Sequence, residues 1–395
     1  MAVFVRTFWG FLLKKDDLSV TMGTTSRRRD VFAMAEQPKY LQVADTLRRE
    51  IAEGVFRDGQ TLMTEEELRL RFDVSRQTIR QAISLLEDDG LVDRRRGSGT
   101  YVRHGPRRRQ GIIHVGVITT FITDYIFPSI AQGMESVLNE NGAVLSLNAM
   151  YNDVRTERNI LERMLEEPVD GLIMEGSRTA KETPNHDLLD RFAQRNIPVL
   201  MVNGFYPGME HIPHVVMDDY GGGRLAAKTA LDRGYTKPAG LFKTDDLQGS
   251  ERLSGFLDEI RSQGMEVPEE RLLCFSTEER NDLADSPKGV ALLEMLKRHG
   301  ADCLVCYNDI FAAQFMVRLQ EKGIRVPDDL GIIGFDNATF SGMLQPALTT
   351  LGHPKDAFGA LAARKILRMI DGEKEESVSM AWTLIDRDSL PAKNK

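Results

Sequence analysis

Cysteine is scarce in this chain of 395 residues: there are three, at positions 274, 303 and 306. Three cannot build a disulfide framework, so a reducing compartment is the natural setting. Cys303 and Cys306 form a C-x-x-C, but "ADCLVCYND" reads as an apolar strand. Zinc knuckles and redox dithiols need a turn there, and no second Cys/His pair lies nearby. Core cysteines are expected, and no metal. No apolar run reaches the roughly 18 residues of a membrane span. "MAVFVRTFWGFLLKKDD" opens with an apolar stretch but lacks a small-residue cleavage site after it, so a signal peptide is not expected. The glycines at 221–223 lack the Lys-Ser/Thr of a phosphate loop and the spacing of G-x-G-x-x-G, and read as a tight lead into a helix. G-x-S-x-G, zinc-binding pairs and short-period repeats are missing too, so neither an enzyme nor a cofactor is expected.

What is present is ordinary in bulk, with 42% hydrophobic and 28% charged residues over a length that suits two or three domains. The charge is uneven. Residues 36–110 carry 15 Lys and Arg against 13 Asp and Glu, and residues 1–35 carry 6 against 3. The whole chain is at -8, which leaves -13 for residues 111–395. A basic head on an acidic body suggests that only the head meets a polyanion. Residues 1–35 are expected to be a disordered extension or a mis-called start, because "MAEQPKYLQ" from Met34 reads like a fresh beginning. A short membrane-surface helix is the other reading.

Within 36–103, "YLQVADTLRREIAEGVF" places Leu41, Ala44, Leu47, Ile51 and Val55 at helical spacing. "MTEEELRLRF" opens with Thr64 and Glu67 in a capping-box pattern, with Leu68 and Phe72 facing inward. After the turn "DVS", Ser75 caps a helix that buries Ile79, Ile83 and Leu86. Helix, short turn, helix is the shape that carries a recognition helix into the major groove. Its first turns hold Arg76, Gln77, Thr78 and Arg80, placed to reach bases and phosphates. "LVDRRRGSGTYV" then reads as a β-hairpin wing, with Gly97 and Gly99 supplying the turn and Arg94, Arg95 and Arg96 flanking an exposed tip. Residues 104–111, within "RHGPRRRQG", form a linker.

From 112 the pattern alternates apolar strand and amphipathic helix. "IIHVGVITT", "AVLSLNAM", "VDGLIMEG" and "PVLMVN" are separated by helices, and a second such run begins near His214. Two open, doubly wound parallel sheets follow, with a ligand cleft between the carboxyl ends of their strands. The lobes are expected over about 112–213 plus 341–374, and about 214–340 plus 375–390. Polar residues stand at those strand ends: Asp124 and Tyr125, Glu175, Asp219, Lys243 and Asp246, Asn308 and Asp309, and Asp336, with Arg252 one turn into a helix. Such a set suits a small polyhydroxylated ligand, because each carboxylate can accept two hydroxyl hydrogens.

Tyr40–Val102 resembles the winged-helix domain of the GntR family of bacterial repressors in its Thr/Ser at helix two, its S-R-x-T and its R-x-G-x-G-T. The resemblance implies a DNA-facing set of Thr64, Ser75, Arg76, Thr78, Arg80, Arg94, Gly97, Gly99 and Thr100. "CYNDIFAAQFMVRLQEKGIRVPDDLGIIGFDN" and "LTTLGHPKDAFGALAARKILRMIDG" are similar to the LacI/GalR sugar-sensing domain, a periplasmic-binding-protein-like fold. That likeness implies that Arg252 and Asp309 hold sugar hydroxyls. A GntR head on a LacI-type body resembles the arabinose-responsive repressors of Gram-positive bacteria, which implies a cytoplasmic dimer on a pseudo-palindromic operator, released by L-arabinose or another pentose. His353 stands where LacI-type chains carry glutamine, a departure that bears on ligand choice. A transport-type sugar-binding protein without a DNA role and a sugar-processing enzyme are the competing classes.

Overall fold

The computed structural model describes residues 38–52, 54–57, 59–88, 91–95, 99–102, 112–122, 126–181 and 185–393. The expected extension, Arg96 and Gly97 of the wing, the linker, and Asp124 and Tyr125 lie outside them.

The head is built on α1 (Lys39–Ala52), α2 (Glu65–Phe72), α3 (Arg76–Asp88) and a hairpin of β1 (Val92–Arg95) and β2 (Gly99–Val102). Thr64 caps α2 in a full capping box with Glu67, and the Ser75 hydroxyl accepts from the Thr78 amide at 3.1 Å at the start of α3. Leu47, Ile51, Leu68, Ile79, Ile83 and Leu86 close one small core. Val55 differs from expectation: the helix ends at Ala52, Val55 is exposed, and Phe56 takes the buried place. A turn through Gly54 at φ 76 stops the helical period before it reaches Val55.

The body alternates β3 (Ile113–Thr119), α4 (Phe127–Glu140), β4 (Ala143–Ala149), α5 (Val154–Glu166), β5 (Gly171–Met174), α6 (His186–Gln194), β6 (Val199–Val202) and β7 (His214–Met217). It continues through α7 (Asp219–Asp232), β8 (Pro238–Lys243), α8 (Leu247–Ser262), β9 (Leu272–Phe275), α9 (Pro287–Arg298), β10 (Cys303–Cys306), α10 (Asp309–Glu321) and β11 (Gly331–Asp336). Last come β12 (Thr349–Gly352), α11 (Lys355–Ile370), β13 (Val378–Met380) and β14 (Thr383–Ile385).

One sheet runs β4-β3-β5-β6-β7-β13 and the other β9-β8-β10-β11-β12-β14, parallel except where β14 meets β12. Each sheet places its second strand outside its first, so each has a switch point beside that first strand, where ligands bind in open α/β sheets. Near-continuous apolar strands fit, because helices cover both faces.

Strand pairing differs from the expected lobe division at three places. β7 pairs with β6 and belongs to the first lobe, β12 pairs with β11 in the second, and β13 returns to the first. An apolar run shows that a strand forms but not which edge it joins. The chain therefore crosses between lobes after Met217, after Gly352 and after Met380. Cys303 and Cys306 lie buried on β10 in different core clusters, so the two thiols sit on opposite faces of the sheet.

Candidate functional site

Two surfaces follow from this frame. The first is the exposed side of the head. Arg76, Gln77 and Arg80 are exposed on the first turns of α3, and Thr78 is half-buried with its hydroxyl 2.9 Å from that of Ser75. Each of these two α3 arginines rests on a carboxylate of α2. Arg76 meets Glu66 at 3.0 Å, and Arg80 meets Glu65 at 3.0 Å. The pairing of Glu66 with Arg69 and Arg76 holds its carboxyl down at about 2. On the wing, Arg94 donates to the Arg80 carbonyl at 3.2 Å, which ties hairpin to helix. Arg95 lies 4.5 Å from the Tyr101 ring centroid and stays exposed. Gly99 has φ 116, a conformation that a side chain would strain, and it packs beside Thr61, whose backbone bridges to Tyr101. The Thr100 carbonyl accepts from the Leu62 amide at 2.7 Å, so the wing is an extension of the loop before α2.

The second surface is a cleft between the lobes of about 920 Å³, mouth included. Of the expected residues, it is lined by Glu175, Asp219, Lys243, Asp246, Arg252, Asn308, Asp336 and His353. Arg252 is its centre. Its Nε donates to Asp219 at 2.8 Å and its Nη1 to the Tyr307 carbonyl at 2.7 Å, and Asp336 stands 3.9 Å away. The guanidinium lies 4.5 Å from the Phe335 ring and 4.8 Å from that of Trp382. Burial pushes Asp219 up to about 7, against the opposing pull of Arg252. Asp336 ends β11 at φ 98, a strained conformation for a residue with a side chain.

Lys243 is buried between Asp245 at 2.8 Å and Asp246 at 2.7 Å. Asp246 also accepts from the Tyr307 hydroxyl at 2.8 Å and caps α8 through Gly249. Glu175 accepts from the hydroxyls of Thr119 at 2.7 Å and Thr120 at 2.8 Å, and from Asn203. Its carboxylate sets the position of those neighbours. Asn308 caps α10. Burial, with Lys355 and Arg252 adding to it, drops His353 to about 3, so the ring is neutral at ordinary pH.

Asp309 departs from the expectation. It does not line the cleft. Fully buried, it accepts from the Ala338 amide at 2.8 Å and from the hydroxyls of Ser341 at 2.5 Å and Thr350 at 2.6 Å. Its carboxylate points into the sheet and holds the segment after β11 against β12, because the capping turn at Asn308 directs the next side chain inward.

Sequence reasoning missed Asn152, Thr179, Asn203, Gln248, Arg280 and Tyr307, all in the lining. Most stand one to several residues past a strand, where loop geometry decides which side chain turns inward. Asn203, directly after β6, carried a readable signal. A buried network supports Thr179: Glu157 on α5 accepts from Tyr206 at 2.6 Å, from the Ser177 amide at 2.7 Å and from Asn185 at 2.8 Å. Thr179 then accepts from the Leu247 amide of the other lobe at 2.9 Å.

The arrangement presents acceptors and donors from both lobes, with Arg252 and Lys243 compensated by adjacent carboxylates. It suits a neutral ligand rich in hydroxyls better than an anion.

Residues 39–102 match the family described as bacterial regulatory proteins, gntR family, and residues 227–390 match a periplasmic binding protein-like domain. The "Arabinose metabolism transcriptional repressor" of Geobacillus stearothermophilus is 37% identical over 360 residues, covering 90% of this chain and 97% of that protein. Its namesake from Halalkalibacterium halodurans is 33% identical over 346 residues, covering 86% and 91%. Among solved structures, a periplasmic binding protein/LacI transcriptional regulator from Alkaliphilus metalliredigens, complexed with D-xylulofuranose, is similar at a TM-score of 0.61 and 25% identity. It covers 70% of this chain and 98% of its own. The transcription regulator CcpA of Lactococcus lactis matches at 0.61 and 26%, covering 71% and 99%.

Proposed function

This chain belongs to the family of the arabinose metabolism transcriptional repressors and is a DNA-binding, sugar-responsive repressor, and we propose that its effector is L-arabinose or a closely related pentose. The observation that carries the proposal is the Arg252–Asp219 pair at the cleft centre. It presents N–H donors beside an acidic side chain, and with Asp336 3.9 Å away the guanidinium charge is offset by two neighbouring acidic groups, which disfavours an anion. Asp246, Asn308, Asp336 and the neutral His353 add hydroxyl partners around it.

In this reading Arg76, Gln77, Thr78 and Arg80 meet the major groove, and Arg94, Arg95, Gly97, Gly99 and Thr100 present the wing, with Thr64 and Ser75 at the helix starts. A cytoplasmic homodimer places two heads on a pseudo-palindromic operator. Sugar changes the angle between the lobes at their three crossings and so the spacing of the heads. The chain performs no turnover. A transport-type binding protein would have no use for the head.

The test is calorimetry of the full chain against pentoses, hexoses and sugar phosphates. L-Arabinose or another pentose is expected to bind tightest. Preference for a sugar phosphate would contradict the charge argument.

A further inference from the structure

The cleft has a neighbour. A second hollow of about 670 Å³, mouth included, lies against it, lined by Arg280, Asn281, Asp282, Ile310, Phe311 and Gln314. Two of these residues, Arg280 and Phe311, line both spaces. Phe311 is a fixed wall, buried and packed 4.6 Å from the Phe275 ring. Arg280 is half-buried, and its guanidinium lies 3.9 Å from the Phe121 ring centroid on the opposite lobe. That ring is braced edge-on by Tyr151 at 6.1 Å. A cation–π contact of this kind holds a long side chain across a gap that it would otherwise leave open.

The segment that carries Arg280 is fixed at both sides. On its own lobe, Glu279 closes a capping box with Ser276 and meets Lys288 at 2.6 Å, and the Thr277 amide donates to Asp245 at 3.0 Å. Towards the first lobe, Glu278 pairs with Arg178, and the Asn152 amide nitrogen donates to the Thr277 hydroxyl. The strap over 276–280 thus spans the rim of the cleft, with the Arg280 side chain as the partition behind it.

We propose that Arg280 is the size filter of the effector site. Planted on Phe121, it walls the cleft off from the second hollow and restricts the ligand to an unsubstituted monosaccharide. The proposal rests on the reading of the cleft as a pentose site. The filter works by exclusion: a bulky group on any hydroxyl that points to the rim meets the guanidinium and Phe311 rather than open space.

The test is calorimetry of the full chain, wild type and Arg280→Ala, with L-arabinose and with four mono-O-benzyl L-arabinopyranoses substituted at O1, O2, O3 or O4. Wild type is expected to bind arabinose and to reject all four ethers. Arg280→Ala is expected to bind at least one ether at least about tenfold more tightly than wild type does, so that the ratio of ether to arabinose affinity rises whatever the variant loses for arabinose itself. Arg280→Gln, shorter but still polar, is expected to fall between, and it serves if the alanine variant does not fold. Tight binding of an ether by wild type would overturn the filter, as would variants that bind arabinose and gain no ether. Both results would leave the pentose reading standing. Failure of wild type to bind any pentose would overturn that reading and the filter with it.

Discussion

Arg252 stands at the centre of the cleft, tied to Asp219 and to the Tyr307 carbonyl. Its place one turn into a helix after a strand end marked it as a cleft residue, and it is one. Asp309 was marked by the same logic, yet it faces the sheet, because adjacent residues at a helix start point in different directions. A sequence lists both without saying which turns inward. Their substitution is therefore expected to differ. Arg252→Ala leaves Asp219 as a buried carboxyl stripped of its guanidinium partner, at a cost of about 3–5 kcal/mol in stability. Lost sugar binding would then be accompanied by a lower urea midpoint. Asp309→Asn addresses a different quantity. Burial, with Asp336 adding to it, lifts the Asp309 carboxyl to about 7. The folded state therefore holds this proton more readily than the unfolded one. Its stabilising contribution is complete below about pH 4 and is lost as the pH rises through about 7. Since asparagine does not titrate, the stability of wild type relative to Asp309→Asn should fall across that window in urea melts. Parallel pH profiles would contradict the assignment. On the head, Arg95→Ala is expected to weaken specific and random DNA alike and to reduce the salt slope by about one unit, read by anisotropy at several salt concentrations.

Elements were legible where periodicity and caps agreed, as at α2 and α3 with Thr64 and Ser75. What periodicity could not show was how closely elements approach. Gly223, in the run that read as a tight helix lead, lies inside α7, and a Cβ there would sit 2.1 Å from the Arg252 carbonyl of α8. Across the same contact, a Cβ on Gly255 would sit 2.0 Å from the Tyr220 carbonyl. These glycines let two helices meet backbone to backbone, and that contact sets the height of Arg252 in the cleft. Gly223→Ala, favourable on helix propensity alone, is expected to destabilise the body by about 1–3 kcal/mol through overpacking. Thermal melts of the variant check this. A higher midpoint would show that the helices can separate without cost. Strand partnership was equally hidden, since β7, β12 and β13 carry no mark of the sheet they join.

At the scale of the molecule, the division into a basic head and an acidic two-lobed body was legible from charge and pattern, while the three crossings were not. They matter most for function. His353 stands directly after the second crossing and Trp382 within the third, with their rings 5.7 Å apart, and Trp382 also packs on Arg252. Ligand contacts at the cleft floor thus reach the segments about which the lobes turn. The central claim is that sugar in this cleft releases DNA from the head. Its most direct test begins with duplexes selected by the full chain from a random pool. Their complex is then titrated with L-arabinose, other pentoses, hexoses and sugar phosphates while fluorescence anisotropy follows the DNA. L-Arabinose or a close pentose should release the duplex at concentrations near its calorimetric dissociation constant. Sugar that binds the chain and leaves the DNA complex intact would contradict the account.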